Sequence, residues 1–199
     1  LMKEGYPAVI TDFPQYGKTF FADMVTKYLK GEFGSADSVS PYLASLLYAG
    51  DRWECKEQIN TWLGEGKVVI SNRYVCDNMA HQGGKIRNPP EKDKFFQWLD
   101  KLEHGIFAVP RSNLNILLYV PAEIAYQLIE KKELRAYLAG EKKDIHEEDI
   151  NHLRYAQQTF LEIAKGKRDW ITIDCTENGK MLSEQAIADK VWCTVKSIL

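Results

Sequence analysis

LLYAGDRWE at Leu46–Glu54 and VVISNRYVCDNMAHQGGK at Val68–Lys85 decide how the rest of the chain is read. Tyr48 and Arg52 stand four apart in a helical pattern, so they share a face and can reach one ligand together. Val68, Val69 and Ile70 form a short β-branched run, and Arg73 follows it, where open α/β sheets present ligand groups at the carboxyl ends of strands. A ring able to stack, a fork of donors and a second guanidinium are parts that hold a nucleoside monophosphate. Taken singly, the same residues fit an ion-paired surface helix beside a buried strand equally well.

Outward from this stretch, short apolar runs alternate with longer helical patterns. Ala8 to Thr11, Val68 to Ser71, Leu114 to Val120 and Trp170 to Asp174 read as strands. Being apolar along their whole length, they imply a sheet covered on both faces. Ser40-Pro41 gives a cap and a proline at the first helical position, opening a helix to about Leu63 that buries Leu43, Leu46, Leu47, Ile59 and Leu63. Further helices open at Pro90, carrying Phe95, Phe96, Leu99 and Leu102, and at Pro121, carrying Ile124, Leu128 and Ile129; the last runs from about Glu184 to Ile198. This order predicts an α/β fold with a parallel, doubly wound sheet and flanking helices.

The chain of 199 residues, 45% apolar and 27% charged, suffices for one buried core, so a single domain over 1–199 is expected. A net charge of −2 gives no broad basic field, and no nucleic-acid partner is expected. Cys55, Cys76, Cys175 and Cys193 have no zinc-like spacing and read as reduced thiols, and no metal ligands are assigned. No apolar run approaches the roughly 18 residues of a membrane span, so no membrane partner is expected and the setting is read as cytoplasmic.

Two segments stand apart. KKELRAYLAGEKKDIHE, within 131–148, is charged and has a central Gly140. By composition it is either a solvated connection or a lid whose Lys131, Lys132, Arg135, Lys142 and Lys143 would bring positive charge over a polyphosphate. TDFPQYGKT at Thr11–Thr19 nearly matches a phosphate loop, but the first glycine would fall on Asp12, and Pro14 has no N–H to donate.

Six ordered blocks carry a resemblance: FPQYGK at Phe13, YLKGEFG at Tyr28, SPYLASLLYAGDRWE at Ser40, SNRYVCDNMAHQGGKI at Ser71, WLDKLEHGIFAVP at Trp98 and KKDIHEEDINHL at Lys142. Through them the chain resembles the thymidylate kinases, dTMP kinases of the P-loop nucleoside monophosphate kinase group. The resemblance implies ATP-dependent phosphorylation of dTMP to dTDP with Mg²⁺, and a homodimer. It implies that Tyr48 stacks on thymine, Arg52 donates to a base carbonyl and Asn78 pairs with the base imide. Arg73 would hold the monophosphate and offset charge on the transferred group. Phe13 and Tyr16 would lie around sugar and phosphate, His81 near the ribose 2′ position with Gln82 beside it, and Arg135, Lys142 and Lys143 would serve catalysis from the lid.

The resemblance also places a strand, a glycine-rich loop and a helix ahead of Leu1, about 25 residues by the length of such a unit. That strand lies in mid-sheet in the family, so a gap or rearrangement is expected between the strands at Val68 and Leu114. Two departures from the family pattern bear on activity: Asn72 replaces the aspartate of D-R-[YH], and PRSN at Pro110–Asn113 replaces P-K-P-D. Losing a carboxylate there would impair metal placement more than nucleotide binding. A non-catalytic nucleotide-binding relative and a kinase for another deoxynucleoside monophosphate are the alternatives.

Overall fold

The computed structural model describes residues 1–36, 38–130 and 150–198. After a 3-10 turn at Met2–Glu4 come β1 (Ala8–Asp12), α1 (Phe20–Leu29), α2 (Pro41–Glu54), α3 (Lys56–Gly64), β2 (Val68–Asn72), α4 (Val75–Gly83) and α5 (Pro89–Asp100). A π-helical turn, Lys101–Ile106, continues α5. The rest comprises β3 (Asn115–Tyr119), α6 (Ala122–Glu130), α7 (Ile150–Ala164), β4 (Trp170–Asp174), β5 (Thr176–Glu177), β6 (Lys180–Met181) and α8 (Glu184–Lys196).

The four longer strands pair parallel, as the alternation of strands and helices requires, but in two separate pairs. β1 lies on β2 with Ile10 opposite Ile70, and β3 lies on β4 with Leu118 opposite Ile173. Among the described residues β2 and β3 are not joined, and this is the expected break between the strands at Val68 and Leu114. The two-sided cover expected for the strands is not found. Ile10 is 75% exposed and Ile70 42%, because residues opposite one another share a face and the Ile10–Ile70 face is left open; Leu118 is 50% exposed although Ile173 opposite it is buried.

The cores lie among the helices. Val25, Tyr28, Leu29 and Ala44 form one buried cluster joining α1 to α2; Ala49, Phe95, Leu99 and Leu102 form another joining α2 to α5. The single helix expected from Ser40 to Leu63 divides at Cys55, whose N–H turns back to the carbonyls of Arg52 and Trp53 and ends α2 in a tighter turn. The helix expected at Pro90 opens one residue earlier, where the Asn88 side chain accepts from the Glu91 N–H. Among the described residues no helix is long and apolar enough to cross a membrane.

Candidate functional site

The segment after β1 is fastened to α2 by a buried acid. Asp51 Oδ2 accepts from the Gln15 N–H at 3.0 Å, and its Oδ1 accepts from the Thr19 hydroxyl at 2.5 Å. Burial pushes the Asp51 carboxyl up from its ordinary range, although both bonds act against the shift. Thr19 caps α1 by accepting from the Ala22 N–H, while Phe20 and Phe21 donate their N–H groups to Glu54 at 3.1 and 2.9 Å. The helix start that follows Gly17-Lys18-Thr19 is therefore already supplied with acceptors, and its N–H groups form no cradle for a phosphate.

Two sequence-predicted residues meet through an unforeseen third. Arg52 is 2% exposed, and the fully buried Glu103 takes its Nε at 3.0 Å and also its Nη2. Burial alone would lower the guanidinium's pKa, but the adjacent Glu103 charge and hydrogen bonds more than reverse this and raise it. Asn78 Nδ2 donates to the Ser45 carbonyl at 3.2 Å and to Glu103 Oε1 at 3.4 Å. Asn78 Oδ1 has no partner, nor do Ser45 Oγ and both polar atoms of the Gln82 amide, all of them buried. Asn78 and Gln82 are one turn apart on α4, on the same face.

Tyr48 and Tyr16 both pack against the cluster of Val25, Tyr28, Leu29 and Ala44, with the Tyr48 ring edge-on to Tyr28 at 6.3 Å. Phe13 is buried, its ring centroid 5.9 Å from that of Tyr74, whose hydroxyl donates to the Pro110 carbonyl at 2.8 Å. His81 lies on α4 with Nδ1 3.3 Å from Nε2 of His152 on α7.

Arg73 stands differently. It follows β2 with φ of 64°, an uncommon conformation for a residue with a side chain, and its half-exposed guanidinium lies 3.5 Å from Asp77. The structure thus links Arg52 and Asn78 through Glu103, packs Tyr16 and Tyr48 against one cluster, and sets Arg73 apart at the strand end. A cleft of about 480 Å³ lies elsewhere, between α5 and α7, lined by Arg87, Lys92, Phe96, Gln158 and Lys167 among others. Arg135, Lys142, Lys143 and the lid-like segment 131–148 lie outside the described residues.

Glu103 and Asp51 were missed in the sequence reading. The signal for Glu103 was its position four residues after Leu99, on the apolar stripe of Phe95, Leu99 and Leu102, where an unpaired acid would be costly.

A family model described as thymidylate kinase matches residues 1–187. A thymidylate kinase of Mycobacterium tuberculosis is 28% identical over 152 residues, covering 76% of this chain and 69% of its own length. One from Thermomicrobium roseum is 26% identical over 200 residues, covering 100% of this chain and 85% of that protein. A thymidylate kinase structure from Candida albicans superposes with a TM-score of 0.70 at 20% identity, over 96% of this chain and 80% of that one, and is similar in fold. Together with the parallel strand pairs and the ordered motif blocks, the match over 1–187 identifies the chain as a member of the thymidylate kinase family.

Proposed function

We propose that the protein phosphorylates dTMP to dTDP and that the space between α2 and α4 receives the thymine. The observation that carries this is the set of unpartnered buried polar atoms on Ser45, Asn78 and Gln82. An unsatisfied buried polar group costs about 1 to 3 kcal/mol, so such a group of them is consistent with a polar, planar guest. In this reading Asn78 Oδ1 accepts from the imide N–H, Arg52 donates to a ring carbonyl, and Tyr48 lies against the base.

Arg73 is proposed to hold the monophosphate, and its left-handed backbone supports that role, since such outliers cluster at ligand-binding positions. Phe13 and Tyr16 flank the sugar and phosphate, His81 and Gln82 sit toward the deoxyribose, and Arg135, Lys142 and Lys143, outside the described residues, are proposed to supply positive charge to the transferred group. The phosphate of dTMP is itself the nucleophile and needs no strong base at neutral pH, so positioning and charge stabilisation suffice.

ATP as donor and Mg²⁺ as its metal belong to the same proposal. The start of α1 does not hold the phosphates. Its N–H groups are already supplied with acceptors. A cytoplasmic two-fold dimer is also proposed, supported by Leu43, Trp53 and Leu63 exposed by 62%, 46% and 43% on the adjoining α2 and α3.

The test is a coupled assay of dTMP-dependent ADP release by the protein produced from its whole gene. Release is expected; its absence contradicts the kinase reading. Asn72 at the end of β2 favours a second reading, a nucleotide-binding relative without turnover. That reading requires dTMP binding with no ADP release, not restored by Asn72→Asp.

A further inference from the structure

We propose that Glu103 is a positioning residue that sets the hydrogen-bonding polarity of the acceptor pocket, and thereby its preference for a base with an imide N–H over one with a bare ring nitrogen. The inference rests on the acceptor-site reading above and extends it to a residue outside that set.

Glu103 sits on the π-helical turn after α5 and is fully buried. Turns of this kind push a side chain out of the regular helical register and recur at functional sites. Its two oxygens engage Nε and Nη2 of Arg52, and among the described residues neither bond uses Nη1. The guanidinium is thus locked along one edge, with Nη1 left to donate to a guest.

The same carboxylate acts with the Ser45 carbonyl to set which way Asn78 faces. Both neighbours of Asn78 Nδ2, the Ser45 carbonyl and Glu103 Oε1, are acceptors. The amide nitrogen must therefore turn toward them, and Oδ1 is left as a buried acceptor without a partner. A donor on Arg52 and an acceptor on Asn78 match a carbonyl beside an N–H, as in thymine. Cytosine presents an amino group beside a ring nitrogen acceptor, the opposite arrangement on both atoms.

A glutamine has one acceptor oxygen where the carboxylate has two. In Glu103→Gln a donor faces either Arg52 Nε or Asn78 Nδ2, and one of the two is released. Equilibrium binding of dTMP and dCMP to the unmodified protein and to Glu103→Gln reads the consequence as a ratio of dissociation constants, which is insensitive to the fraction of competent protein. The dTMP preference is expected to fall about tenfold or more in Glu103→Gln, the loss of one well-made discriminating bond, and to stay within about threefold of the original in Glu103→Asp, which keeps both acceptor oxygens.

An unchanged ratio in Glu103→Gln overturns the proposal, since a purely structural role would weaken both nucleotides together. NMR of the unmodified protein gives a second arm that does not depend on a variant folding. The Asn78 side-chain amide protons are expected to be protected from exchange before nucleotide is added, and rapid exchange in the free protein overturns the pre-positioning. Equal affinities for dTMP and dCMP in the unmodified protein would defeat the acceptor-site reading itself, a result distinct from an unchanged ratio in the variant.

Discussion

The imidazoles of His81 and His152 lie 22° from parallel, with Nδ1 of the first 3.3 Å from Nε2 of the second, and this contact ties α4 to α7. At that separation one ring nitrogen donates and the other accepts, which requires that the two rings not both be cationic.

His152 is accordingly held neutral. Burial, then the nearby charges of His81, Lys85 and Arg87, push it down to about 3. The unfolded chain binds a proton there near pH 6.5 and the folded chain does not, so the neutral histidine's contribution is present above that pH and is lost as pH falls from 6.5 toward 3. Urea unfolding at pH 7.5 and pH 5 is expected to show the unmodified protein losing about 1 to 2 kcal/mol more than His152→Phe, at up to 1.4 kcal/mol per pH unit. Equal losses in the two proteins would contradict this account.

Asp51 governs the segment that carries Phe13 and Tyr16. Asp51→Ala leaves the Gln15 N–H and the Thr19 hydroxyl without their acceptor. A loss of about 2 to 4 kcal/mol in denaturant unfolding is expected from two orphaned buried groups. A change below about 0.5 kcal/mol would show that the two bonds contribute little.

The Arg52–Glu103 pair has a distinct signature. Arg52→Met strands a fully buried carboxylate and is expected to cost about 3 to 5 kcal/mol, whereas the double variant Arg52→Met with Glu103→Leu should recover most of that stability. Thermal and denaturant unfolding of the single and double variants measures the difference. Recovered stability without recovered dTMP binding is the expected combination, because the lost donor is needed by the ligand rather than by the fold.

Gly50 tests the approach of α1 to α2. A Cβ at this position would fall 2.5 Å from the Phe21 ring, so Gly50→Ala should cost about 1 to 3 kcal/mol through overpacking. Gly64→Ala meets nothing within 4 Å and is expected to be neutral or slightly stabilising. Urea midpoints of the two variants check the contrast, and a destabilised Gly64→Ala would contradict it.

The pattern of apolar residues made much of the architecture legible. The cap and proline at Ser40-Pro41 and the proline at Pro90 located helix starts to within a residue, and the runs at Val68 and Trp170 located strands. The division at Cys55 carries no glycine or proline. It coincides with Glu54 reaching across to the first N–H groups of α1, a contact that depends on which helix lies alongside. Exposure of Ile10 and Ile70 was illegible for a similar reason, because apolar composition says that a strand face can be buried, not what covers it. At the candidate site, helical spacing singled out Tyr48 and Arg52, and the family resemblance pointed to Asn78. Glu103, the common partner of Arg52 and Asn78, lies 51 residues beyond Arg52 and 25 beyond Asn78, and only the fold brings it between them.

The central claim, that Arg52, Asn78 and Tyr48 receive the base of dTMP, is tested most directly by a structure of the protein with dTMP bound. The thymine is expected between α2 and α4, with its imide nitrogen and a ring carbonyl 2.7 to 3.2 Å from Asn78 Oδ1 and Arg52 Nη1, its plane against Tyr48 and its phosphate at Arg73. A nucleotide lodged instead in the cleft lined by Arg87, Lys92 and Gln158, with Asn78 Oδ1 and the Gln82 amide still unpartnered, would contradict the account.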